Sequence, residues 1–244
     1  MGCVQVVKNQ RPDFITHDYL GKAYREMPLK LERIVNDLYW RGKKVCILGG
    51  GESLKSTDAK SFEGKKTIGV NRTAELFDVN IWFFTDLSYY LKVTKQVLEK
   101  YAPGSQRKWN EFKGLRVMVS PVSPHRIGRD VYGVQRLLDS KITDDVSRGI
   151  YPGSNSGFAA IMLAIALGSR DIELYGFDMR VIESTHCHSG YPKQKEKDFK
   201  RKLKEYKKEM ESFAPQFKKV GVKIVNKTPY SALKCFRGRN YDTW

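Results

Sequence analysis

Val45-Cys46-Ile47-Leu48-Gly49-Gly50-Gly51-Glu52-Ser53-Leu54 is a run of four apolar residues that passes straight into three glycines. A short, wholly apolar run of this kind reads as a strand covered on both faces, which is the habit of parallel sheets flanked by helices. Five more short strands follow, apolar in the main: Thr67–Val70, Asn80–Phe84, Leu115–Val119, Ile172–Tyr175 and Val222–Val225. Helical spacing separates or precedes them. Pro28 opens a pattern carried by Leu31, Ile34, Val35 and Leu38, residues 89–100 form a second, and 193–212 a charged one. Ser156 to Leu167 is apolar nearly all round, as a helix buried on most faces must be, with Gly168 fitting its C-terminal end. The pattern predicts an α/β fold: a Rossmann-like parallel sheet of about six strands flanked by helices, with a small insert or lid. Residues 1–42 read as an N-terminal arm and helix, and 43–230 as the Rossmann-like domain. Residues 121–153 are rich in Pro, Gly and charge and read as the insert or lid, and 231–244 as a basic tail.

The bulk properties narrow the partners. The chain has 244 residues, 41% hydrophobic and 29% charged, enough for a core and too apolar for wholesale disorder. No apolar run reaches the length of a membrane span, and Met1 to Lys8 has no signal-peptide core. Gly2 opens an acylation-like start, but Val6 stands where a myristoylation signal wants Ser or Thr. Cys3, Cys46, Cys187 and Cys235 form no CxxC pair, which implies a reducing, cytoplasmic setting without disulfides. His186, Cys187 and His188 lie too close together for the usual paired zinc ligands. Against 27 Asp and Glu stand 44 Lys and Arg, a net charge of +17 that draws in polyanions. Residues 193–208 alone hold nine Lys or Arg and three acids. Lys193, Lys197, Lys200, Arg201 and Lys204 are the candidate grip on a phosphate backbone, though a solvated helix face would read the same way.

Ligands of an open parallel sheet bind outside the carboxyl ends of its strands. The residues just past each strand are therefore the candidate site: Gly49, Gly50, Gly51 and Ser53, then Asn71 and Arg72, then Asp86, and later Asp178. Glycines let backbone N–H groups approach a phosphate, although a tight strand–helix turn needs them equally, and Ser53 could serve simply as a helix cap. Asn155, Ser156 and Gly157 open the buried helix, where capping and anion binding use the same N–H groups. His186 and His188 are the paired imidazoles, fit for a general base or idle in a surface loop.

The order of three segments, VCILGGGESL (45–54), GVNR (69–72) and SNSGFAAIMLAIALGSRDIELYGFD (154–178), resembles the bacterial sialyltransferases of the family 42 type. Parts of it are similar to the archaeal DUF115-type pterin pyrophosphokinases. The resemblance spans most of 43–190 and implies a Rossmann-like nucleotide-sugar domain. It implies that Gly49, Gly51 and Ser53 hold the nucleotide, that Asn71 contacts the donor, and that Ser156 and Gly157 sit near base and ribose. Asp178 matches the acid closing the G-x-D motif, and His188, or else His186, the catalytic histidine. Gly50 replaces a frequent Asn, and Met179-Arg180 replaces the tyrosine that binds the donor phosphate. Arg180 could neutralise a diphosphate, which favours a UDP- or GDP-sugar over a CMP-sugar. The resulting expectation is a metal-independent, inverting glycosyltransferase with no obligatory cofactor. Its acceptor would be a polyanion, a hydroxylated base in DNA (as in phage DNA modification) before an acidic surface glycan. The alternatives are a sialyltransferase-like enzyme on such a glycan, a pterin pyrophosphokinase, or a nucleic-acid-binding Rossmann protein without catalysis.

Overall fold

The computed structural model describes residues 16–236 apart from 37, 122, 185 and 189–195. Among them, eight strands form one sheet: β1 (Leu29–Lys30), β2 (Lys44–Leu48), β3 (Lys66–Val70), β4 (Ile81–Phe84), β5 (Leu115–Val119), β6 (Tyr132–Val134), β7 (Asp171–Tyr175) and β8 (Lys223–Asn226). The order is β1-β6-β5-β4-β3-β2-β7-β8, and every neighbouring pair is parallel. The helices are α1 (His17–Arg25), α2 (Leu87–Thr94), α3 (Ser105–Glu111), α4 (Ser156–Ala166) and α5 (Glu196–Lys219).

Side chains alternate between the sheet's faces, so each strand feeds two cores. Val45, Ile47, Ile68, Phe83, Val117 and Leu174 join α4 and the Met210, Phe213 and Phe217 side of α5. Cys46, Leu48, Trp82, Phe84 and Met118 join Tyr24 of α1, Tyr89 and Tyr90 of α2 and Trp109 of α3. Both faces of the inner strands are covered, and this is why those strands read as mainly apolar runs. The sheet is thus the Rossmann-like parallel arrangement the sequence predicts, with two strands more than expected.

Those two strands are where local pattern misleads. Among the described residues, 28–40 hold no α-helix. Leu29–Lys30 pair with Tyr132–Gly133 as the edge of the sheet, and one 3-10 turn, Leu31–Arg33, follows. Leu31 and Val35 are buried while Ile34 and Leu38 face outward, so a single turn satisfies half the spacing and strand pairing takes the rest. Residues 121–153, expected as an insert or lid, are woven into the sheet: they supply β6, and Val131, Val134, Val146 and Ile150 are buried. The helix expected over 89–100 stops at Thr94, because Gln96 turns left-handed (φ 58°) and a 3-10 turn resumes at Val97. The tail also begins later than its composition implies. Leu233 and Phe236 enter the core, and the Asn226 amide donates to the Phe236 carbonyl. The arm before 16, the acylation-like start and residues 237–244 lie outside the described residues. Among the described residues no helix is long and apolar enough to cross a membrane.

Candidate functional site

From β2 the chain winds outward through β3, β4, β5 and β6, then returns to place β7 on the other side of β2. Connections leaving β2 and β7 diverge, and a crevice opens at their carboxyl ends. Two bends line it: Gly49-Gly50-Gly51 after β2 and Gly176-Phe177-Asp178 after β7. They touch. Gly49 N donates to Tyr175 O at 2.7 Å and Gly51 N to Gly176 O at 2.8 Å. A Cβ on Gly51 would stand 1.7 Å from Asp178 Oδ2, and one on Gly49 2.7 Å from Gly176 O. These two glycines therefore serve the packing of bend on bend, and their amides are consumed by it. Gly50 is different: a Cβ there would meet only His186, at 3.5 Å.

The start of α4 forms the floor. Asn155 Oδ1 caps the helix by accepting from Phe158 N at 2.8 Å, and Ser156 Oγ lies 2.7 Å from Thr85 Oγ1 at the end of β4. Gly157 packs against the Phe177 ring, where a Cβ would approach to 2.9 Å. The crevice has a volume of about 410 Å³ and brings together Gly49, Gly50, Gly51, Asn71, Asp86, Asn155, Ser156, Gly157, Asp178, Arg180, His186 and His188. Three of its buried polar atoms have no hydrogen-bond partner: Asn71 Oδ1, Asn155 Nδ2 and Asp178 Oδ1. Buried polar atoms without partners are rare and costly, so their convergence marks a place for a polar ligand. Asn71 also holds a left-handed backbone (φ 52°), as does Met179 (φ 51°). A depression of about 480 Å³ between Ala59 and Asn80 lies at the opposite, amino-terminal edge of the strands, away from these groups.

The crevice sets its own electrostatics. Burial raises the Asp178 carboxyl, against the Ser53 hydroxyl that donates to Oδ2 at 3.0 Å. Asp86 is exposed at the rim, where partial desolvation raises its carboxyl while the charges of Arg136, Lys92 and Lys202 pull it back. Burial pushes His186 down to about 4. Its ring stacks on His188 with centroids 5.4 Å apart, and His188 Nδ1 lies 3.4 Å from Arg72 Nη1.

Two expected ligand residues take other places. Arg72 is buried beneath the crevice, its Nη2 2.8 Å from Glu75 Oε2, so it holds His188 from behind rather than facing a donor. Ser53 neither lines the crevice nor caps the 3-10 turn Glu52–Ser56, whose cap position is Gly51; its hydroxyl holds Asp178. Lys197, Lys200, Arg201 and Lys204 line a separate depression on the outward side of α5. Lys193 lies outside the described residues. Sequence reasoning missed the inward side of the same helix. Phe199, Leu203 and Tyr206, readable as a core stripe, form a wall of the crevice with Lys202. Helical spacing shows that such a stripe faces something, and not that it faces a ligand.

No protein-family model and no curated protein sequence matches the chain. Among solved structures, the chain is similar to the sialyltransferase CstII from Campylobacter jejuni in complex with a substrate analogue, cytidine-5'-monophosphate. The identity is 20% over 81% of this chain and 85% of that chain, with a TM-score of 0.46. A point mutant of alpha-2,3/8-sialyltransferase CstII is similar at 19% identity over 80% of this chain and 86% of that one, with a TM-score of 0.44.

Proposed function

We propose that the chain is a glycosyltransferase whose nucleotide-sugar donor, CMP-, UDP- or GDP-linked, binds in the crevice between β2, β7 and α4. The observation that carries this reading is the convergence of Asn71 Oδ1, Asn155 Nδ2 and Asp178 Oδ1, buried and unpartnered, at the topological switch point. The motif order that resembles family 42 sialyltransferases falls on the same residues.

In this reading the acceptor oxygen attacks the anomeric carbon, the bond from that carbon to the phosphate oxygen breaks, and the nucleotide leaves with the electron pair. A histidine takes the acceptor proton. A base works best with a pKa near the operating pH, and at about 4 His186 is too weak, which leaves His188. Arg180 and Lys202 line the crevice and supply positive charge for the departing phosphate. The acceptor is assigned to the polyanions, DNA with a hydroxylated base before acidic glycan. The support is the +17 charge and α5, which presents Lys197, Lys200, Arg201 and Lys204 outward and Lys202 and Tyr206 into the crevice.

Calorimetry with CMP, UDP and GDP tests donor binding, and mass spectrometry of hydroxymethylated DNA and acidic glycans with a panel of nucleotide sugars tests transfer. At least one nucleotide binds, and Asn155→Ala weakens it about tenfold while costing about 1 kcal/mol of helix capping. If no nucleotide binds at millimolar concentration, the reading is wrong. Nucleotide binding with unaltered turnover in His188→Ala removes the assigned base.

A further inference from the structure

The histidines reach the crevice on an irregular segment, and a segment without helix or strand needs some other means of holding its shape. That means stands on the glycine bend. Glu52 Oε2 accepts from the backbone amides of Glu183 at 2.8 Å and Ser184 at 2.6 Å. Its other oxygen lies 3.1 Å from Lys55 Nζ, which also donates to Ser184 Oγ at 3.2 Å. Ser184 Oγ in turn donates to the His186 carbonyl at 2.9 Å. One residue further on, Cys187 N donates to Gly50 O at 3.0 Å, and the Cys187 side chain is buried with the second core. The segment is thus fastened on both sides of His186 to one short stretch, Gly50–Lys55. We propose that Glu52 is a positioning residue whose carboxylate pins Glu183 and Ser184 to the glycine bend, setting both imidazoles over the crevice.

Glu52 has the chemistry for this task. A carboxylate accepting two amides is a charge-assisted pair of bonds, stronger than neutral ones. The Ser184 amide is the main cause that lowers its pKa to about 2, so the pin stays charged at any physiological pH. The ring of His186 covers Gly50, so a segment that lifts would expose it to water. The consequence for turnover rests on the glycosyl-transfer reading, whereas the pin itself does not.

The test is read first in the free protein, with no sugar donor. The chain has four histidines, few enough for the His186 Hε1 resonance to be assigned and followed with pH by NMR. In Glu52→Ala the His186 titration moves from about 4 toward the ordinary 6.5 as the ring hydrates. Glu52→Gln, which keeps one side-chain oxygen for both amides and loses only the charge and the oxygen facing Lys55, restores most of the low value. Ser184→Pro removes one amide from the other partner and reproduces the shift, and it carries the test if Glu52→Ala does not fold. A His186 titration that stays near 4 in both Glu52→Ala and Ser184→Pro overturns the proposal. Where transfer activity is found, Glu52→Ala lowers kcat at least about tenfold through misplaced geometry. Donor KM changes by less than about threefold. A change in KM alone overturns the positioning role while leaving the transferase reading intact.

Discussion

The wall of the crevice made by β2, β7 and α4 and the wall made by α5 face the same space with different means. The first is backbone and short side chains: glycines in contact, a capping Asn155, a buried Asp178 held by Ser53. Its bends are packed tightly at Gly49 and Gly51, where a methyl group on Gly51 would overlap Asp178. The second wall is long side chains on a helix whose other side is a row of cations. Rigid, prepaid geometry suits the recognition of one defined ligand. Long solvated cations give attraction that is strong at a distance and tolerant of detail. The donor and the acceptor, as assigned here, would therefore be recognised by separate physics within one cavity.

Substitutions can abolish this contrast, and the largest effect falls on the rigid wall. Gly51→Ala forces Asp178 and Gly176 aside and costs about 3 kcal/mol or more, with loss of nucleotide binding. Gly50→Ala, one residue away, meets only the His186 ring and costs less than about 0.5 kcal/mol. Thermal unfolding of the pair measures the difference, and equal costs would refute the bend-on-bend account.

Asp178→Asn gives an intermediate effect with a defined pH signature. Because burial raises the folded-state pKa, the native state holds its proton more tightly than the unfolded chain does. The contribution of Asp178 is therefore full below the ordinary value of 3.8 and is lost as the pH rises through the raised one. The Asn variant lacks that loss, so it is at least as stable as the parent at neutral pH while binding nucleotide more weakly. Melting curves across the pH range check the sign. Glu52 runs the other way, since its lowered pKa contributes stability above the ordinary 4.5 that fades as the pH falls toward about 2.

The smallest effect on stability belongs to the second wall. Replacing Lys197, Lys200, Arg201 and Lys204 together by Ala changes stability by less than about 0.5 kcal/mol, since exposed pairs such as Arg201–Glu205 contribute little. It leaves nucleotide binding alone and, if the proposed acceptor is DNA, lowers the salt slope of its binding by about 0.9 for each phosphate that is no longer neutralised. An unchanged slope would detach the cationic row from the acceptor.

The strand runs at 45, 67, 80, 115 and 172 are legible because both faces of the sheet are covered there, which keeps most of their residues apolar, and the run at 222 is legible from Val222, Ile224 and Val225 although it lies at the edge. β1 and β6 are not legible. They are two and three residues long, and Gly133 in β6 is set by the Met27 side chain, which a Cβ would meet at 2.7 Å. In the site, the ends of strands are readable as a rim, so Asn71, Asp86 and Asp178 could be named. The roles of Arg72 and Ser53 could not, because whether a polar residue faces a ligand or braces a neighbour depends on what lies beneath it.

Residues within a few positions of one another dictate the six long strands, the buried helix and its capping Asn155, and these are readable in the chain before it folds. Other features exist only once the sheet is assembled. Ser53 meets Asp178 across 125 positions, α5 turns its apolar stripe to the crevice, and Glu52 reaches the amides of Glu183 and Ser184. Such meetings depend on strand order and on which connection crosses to which side of β2, and no local propensity encodes either.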